Sequence, residues 1–205
     1  MSEELNKIIY SKQTIEFVAV SNEFCLFVEE AGTMSAQRML SVAQKLLTLL
    51  YLKTSMLPDD IETEEAFLES FVSEVDYAYL QSRIRNILGE HDDYKEVFTV
   101  DIQYAEEALS ESISESILDI YQDLKDFVMN YRTSDEDVML DALSECLNHF
   151  KDFWGQRLVN VLRPIHQLVY GDVDFEQKVQ IKSGQGEDEN IVPTWLAGKY
   201  DLDEE

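Results

Sequence analysis

The chain has 205 residues and carries 16 basic against 42 acidic side chains, a formal charge of −26 at neutral pH. That excess repels phosphate backbones and anionic lipid headgroups, which disfavours nucleic acid and membrane surfaces as direct partners and favours a protein with a basic surface. Hydrophobic residues make up 45% while there are only 7 Gly and 3 Pro, so the chain can bury a core but lacks the turn punctuation of a many-stranded sheet; the expectation is one all-α domain.

Ile8, Ile15, Val18, Ala19, Cys25 and Leu26 recur at helical spacing and predict a first helix from about Ser11 to Ala31, with Gly32 as its stop. A second runs from Ser35 to Leu57 and ends before Pro58. Its "LLTLLYL" is apolar nearly all round, which predicts a central position. A third is expected to start at Thr63, with Glu64 and Glu65 in its first turn, and to pass Phe67, Phe71, Val75, Leu80 and Ile84 to Gly89. After the loop "GEHDDYKEVFTV", a fourth helix spans about Asp101 to Tyr131, its inner face reading Ala105, Leu109, Ile113, Ile117, Ile120, Leu124, Phe127 and Tyr131. Ser134 with Asp137 reads as the cap of a fifth. That helix passes Val138, Ala142, Cys146, Phe150 and Trp154 towards Tyr170, kinked or divided near Asn160 by Pro164.

The resulting architecture is a mainly antiparallel bundle of five or six helices over residues 1–170, followed by an irregular acidic appendage, 171–205. Within the appendage Val173, Phe175, Val179 and Ile181 alternate as in an extended segment, and Trp195 and Tyr200 are its remaining aromatics. The opening "MSEELNKIIY" has no secretory signature, and the longest apolar run, Leu46 to Leu52, falls far short of the ~18 residues of a membrane span. Cys25 and Cys146 sit on apolar helical stretches without redox or metal-motif spacing, which predicts buried reduced thiols and a cytoplasmic protein. Oligomeric state is not legible.

The stretch "EEALSESISESILDIYQDLKD" carries an acid at every fourth position: Glu107, Glu111, Glu115, Asp119 and Asp123. Each four-residue step overshoots a helical turn by about 40°. The acids therefore form a slanting ridge that does not converge on a point, and a solvated face is the expectation. Pairing is the other reading, since the last helix carries Arg157, Arg163 and His166 in a chain poor in cations. Those three, with Trp154, Asp119 and Asp123, form the candidate charged pocket.

No cofactor or metal is expected. Glu145 and His149 are spaced by four rather than the three of di-iron bundles, and there is no second copy. His91 in "EHDDY" reads as part of an acidic loop. There is no Gly-x-Ser-x-Gly elbow and no phosphate loop. The favoured function is a non-enzymatic interaction module acting through an acidic surface. The alternative, a carboxylate-dependent metal hydrolase, requires acids such as Glu69 and Glu115 to face each other across a cleft.

The stretches "LLTLLYLKTSMLP", "ILDIYQDLKDFV" and "ALSECLNHFKDFWGQRLVNVLRPIHQL" together resemble the bacterial domain of unknown function family numbered 5063, found in Bacteroides and relatives. The resemblance covers most of Lys12 to Leu168. Phe153 and Pro164 depart from it, standing where the family often has a His and a small residue. The resemblance implies a helical fold and supplies no activity.

Overall fold

A computed structural model describes residues 8–58, 61, 63, 66–95, 110–173 and 175. Helix α1 spans Lys12–Glu30, with the Ser11 hydroxyl accepting the Thr14 N–H as its cap. Helix α2 spans Ala36–Thr54 and is capped likewise by Ser35. Helix α3, Glu74–Leu88, opens on a reciprocal capping box in which Ser73 and Asp76 each satisfy the other's backbone N–H, so two otherwise orphaned donors are paired at once. A short antiparallel pair follows, β1 (Asp93–Lys95) with β2 (Ser110–Ser112), Asp93 lying opposite Ser112. Helix α4 spans Ile113–Tyr131 and α5 spans Glu136–His149. A π-helical turn over Phe150–Trp154 leads into α6, Gly155–Tyr170.

These helices form a mainly antiparallel bundle with α4 at its centre, packed against α1, α3, α5 and α6, while α2 packs on α1 and α6. Ile113, Ile117, Ile120, Leu124 and Phe127 of α4 are buried. Phe17 of α1 stacks on Phe127 with ring centroids 5.1 Å apart. The fold class read from the sequence is therefore the one observed.

Several local expectations are corrected. The inner face of α1 is Phe17, Val20, Phe24, Cys25, Phe27 and Val28, whereas Ile15 and Leu26 are exposed. Helix α2 is not central: Leu49, Tyr51 and Leu52 of its apolar run face outwards. The third helix begins at Glu74 rather than Thr63, and Phe67, expected on its inner face, is 83% exposed. The fourth begins at Ile113, with Ser112 as cap and Glu111 on β2; Glu107, Ala105 and Leu109 lie outside the described residues. Asp135, not Ser134, caps α5, and Ser134 takes a left-handed φ of 62°.

The division into two helices offered near Asn160 is not seen. Helix α6 runs unbroken through Pro164, and the chain instead widens at the π turn. There the buried Trp154 indole N–H donates to the Cys146 carbonyl at 3.0 Å. A Cβ at Gly155 would collide with the Phe150 carbonyl oxygen, so glycine is what lets the widened turn re-enter an α-helix. The appendage lies outside the described residues except for 171–173 and Phe175, whose ring meets His91 edge-on at 5.2 Å. Val179, Ile181, Trp195 and Tyr200 are likewise outside them. Cys25 and Cys146 are buried free thiols, and burial pushes Cys25 up to about 12.

Candidate acidic cleft

The polar side of α4 faces α5 and the segment leading into α3. Asp119, Asp123, Asp126 and Asn130 recur there at steps of four, three and four residues, a rhythm that keeps side chains on one side of a helix. Asp119 accepts the Tyr77 hydroxyl at 2.8 Å on one oxygen, and its other oxygen forms an ion pair with Arg157 Nε at 3.3 Å. Arg157 also pairs with Glu111 on β2, and its guanidinium lies 5.5 Å from the Phe153 ring centroid. Asp123 Oδ1 meets His149 Nδ1 at 2.6 Å. Asp126 accepts the Phe71 N–H at 2.6 Å and the Ser70 hydroxyl at 3.1 Å.

Two adjoining hollows follow from this arrangement. One, of about 300 Å³, is lined by Asp119, Gln122, Asp123, His149 and Phe153. The other, of about 180 Å³, has Glu69, Ser70, Asp126 and Glu145 in its wall and shares Asp123 and His149 with the first. Burial raises the carboxyl groups of Asp119, Asp123 and Asp126 above the ordinary carboxylate value, against the lowering effect of their hydrogen-bond donors. The bond to Asp123 raises His149 above the ordinary imidazole value. A half-buried carboxylate is incompletely hydrated, and an arriving cation would replace the missing water.

The six candidate residues are not gathered in one place. Asp119 and Asp123 line the cleft and Arg157 is paired with Asp119 beside it, but Trp154 is sealed in the core. On a helix turning about 100° per residue, Arg163 and His166 fall about 120° and 180° from Arg157. Arg163 is accordingly exposed elsewhere, and His166 Nδ1 lies 3.4 Å from Gln44 with its ring against Tyr170. The Arg157 guanidinium is engaged by Glu111 and Asp119, so the six residues of the candidate charged pocket do not come together. The acidic row is not a solvated ridge either: Glu111 and Asp119 are paired, with side chains 18% and 16% exposed.

Nor do Glu69 and Glu115 face each other. Glu69 lies beside Asn130, fifteen residues or about 22 Å along α4 from Glu115. Among the described residues no group of three or more His, Cys, Asp and Glu side chains is placed to hold a metal ion. In "EHDDY", Asp92 is 1% exposed and accepts both the Ser114 N–H and hydroxyl at 2.7 Å. The acidic loop is thus a fastening between the end of α3 and the start of α4.

Residues 8–171 match the family described as Domain of unknown function (DUF5063). The chain belongs to this family. The resemblance read from the helical stretches is confirmed, and the match ends at the start of the C-terminal appendage. Among solved structures the chain is similar to protein BF1032 from Bacteroides fragilis, with 38% identity over 80% of this chain and 96% of that one and a TM-score of 0.71. No curated protein matches. Among the described residues no helix is long and apolar enough to cross a membrane.

Proposed function

We propose that this DUF5063 domain is a cytoplasmic, non-enzymatic docking module that receives a basic segment of a partner protein in the cleft between α4 and α5. The observation that carries the reading is the charge of the lining. Glu69, Asp119, Asp123, Asp126 and Glu145 contribute carboxylates, and His149 is the one titratable cation among the lining residues. Phe153, 44% exposed at the rim, supplies an apolar surface for the aliphatic stem of a lysine or the face of a guanidinium. The overall charge of −26 would steer such a partner towards the domain.

The test is a titration of fluorescein-labelled oligo-arginine into the wild type, Asp123→Asn/Glu145→Gln and Glu23→Gln/Glu30→Gln. Both pairs remove two charges, but the second lies on the exposed face of α1. Loss of a buried or half-buried charged contact costs about 2 kcal/mol or more, roughly a thirtyfold weakening. Weakening confined to the cleft pair supports docking there. Equal effects from both pairs would show that only the net charge attracts the peptide.

A further inference from the structure

Residues 66–72 lie along α4 without belonging to a helix or strand. The Glu69 N–H donates to Asn130 Oδ1 at 3.1 Å, Asn130 Nδ2 donates to the Glu69 carbonyl at 2.8 Å, and the Phe71 N–H donates to Asp126 Oδ1 at 2.6 Å. Two residues of this strap therefore match the four-residue turn from Asn130 back to Asp126. Four helical residues rise about 6 Å and two extended residues advance about 6.6 Å, so the strap is extended and antiparallel to α4.

In an extended chain, successive residues aim their N–H and C=O groups to opposite sides. Glu69 and Phe71 turn towards α4, so Leu68 and Ser70 turn theirs away. Among the described residues these outward backbone groups have no hydrogen-bond partner. Ser70 is exposed, and Phe67 beside them is 83% exposed. An open extended edge of this kind is a template for one more strand. Glu69, Asp123 and Glu145 line the hollow that Leu68 and Ser70 also border.

We propose that the partner docks by strand addition: an extended, lysine- or arginine-bearing segment pairs with the backbone of Leu68 and Ser70. Its cations meet Glu69 beside the edge, and an apolar side chain rests on Phe67. This inference rests on the basic-partner reading and specifies how that partner binds. Charge complementarity selects the occupant, because a second copy of this chain would bring another −26 charges to an acidic edge.

Amide hydrogen exchange followed by NMR tests it, with a synthetic peptide of alternating lysine and valine as the probe. In the free chain Leu68 and Ser70 are expected to exchange fast and Glu69 and Phe71 slowly. Saturating peptide should slow Leu68 and Ser70 by about tenfold or more, the protection expected of a backbone pair closed most of the time. The same peptide N-methylated at every amide, which blocks both of its edges, keeps its charge and should not produce the slowing. Binding without slowing at Leu68 and Ser70 would overturn strand addition while leaving the acidic cleft as the docking site. Slow exchange of these amides in the free chain would overturn it too, because the edge would already be covered. Failure of both peptides to bind at low salt would remove the basic-partner reading, and the inference with it.

Discussion

Truncating Asn130 to alanine should loosen the strap at Glu69 while leaving the helical bundle folded. Asn130 is 3% exposed and holds Glu69 through both the N–H and the C=O, while Nδ2 also donates to the Asp126 carbonyl at 2.9 Å. Two strap bonds at about 1 kcal/mol each amount to ~2 kcal/mol. Alanine's better helix propensity returns up to ~0.7 kcal/mol. Glu69 is exposed, so its freed backbone groups reach water and add no large penalty for buried, unpaired atoms. The expected loss is about 1–2 kcal/mol, or a fall in Tm of roughly 2–8 °C for a domain of this size. Urea unfolding followed by circular dichroism measures the loss, and amide exchange at Glu69 locates it. Asn130→Asp should be worse than Asn130→Ala, because a carboxylate would then oppose the Glu69 carbonyl and add charge beside Asp126. If Asn130→Ala leaves both the unfolding midpoint and the Glu69 exchange rate unchanged, Leu68 and Val72 packing holds the strap and the hydrogen-bond clamp is unimportant.

Three further outcomes are expected. Asp119→Asn should cost about 1–2 kcal/mol in chemical denaturation, because it weakens charge-assisted bonds to Tyr77 and Arg157 while relieving some burial of charge; Glu115→Gln should cost under about 1 kcal/mol, its carboxylate contributing mainly to the first-turn helix dipole. Equal costs would contradict the pairing. Trp154→Ala should lose about 3–5 kcal/mol in the same assay, through the cavity left in the core and the vacated Cys146 carbonyl; a loss near zero would mean that the π turn collapses without cost. The raised folded value of His149 means that its pairing with Asp123 contributes stability fully below the ordinary imidazole value of 6.5 and loses that contribution as pH rises through the raised value. His149→Gln should flatten this part of the stability profile, and Asp123→Asn should lower the His149 NMR titration midpoint; an unmoved midpoint would show that the two groups are not coupled.

The sequence made the bundle legible wherever apolar residues fell on one face of a helix. Helix α4 is the clearest case, since Ile113, Ile117, Ile120, Leu124 and Phe127 are both the predicted and the buried face. Helix α1 was misphased because it packs against both α2 and α4, which spreads its buried positions round the axis and blurs the period. "LLTLLYL" misled in the opposite direction, as only Leu47 and Leu50 of its leucines are fully buried and Leu49 and Leu52 face out. The start of α3 was missed because Thr63 with Glu64 and Glu65 mimics a cap. The actual signal was Ser73 with Asp76, and the preceding strap owes its shape to Asn130 and Asp126, more than fifty residues away.

The cleft was half visible. Following acids in steps of four reached Asp119 and Asp123 but drifted off the helix face before Asp126 and Asn130. Allowing a three-residue step would have found all four. In the sequence His149 stands only in an imperfect metal motif, because its partner, Asp123, is on the neighbouring helix. Arg157 is, as the sequence suggests, a cation beside the acidic row. Arg163 and His166 were grouped with it by sequence proximity, although helical rotation carries them to other faces.

A chemical-shift map of the ¹⁵N-labelled domain titrated with oligo-arginine tests the central claim most directly. A cleft that selects cations predicts saturable shifts concentrated at Glu69, Ser70, Gln122, Asp123, Glu145 and His149, with the acids of α1 and the exposed face of α2 little affected. Shifts that spread evenly over the acidic residues of α1, α3, α4 and α5 and never saturate would contradict it, leaving a charged surface without a docking site.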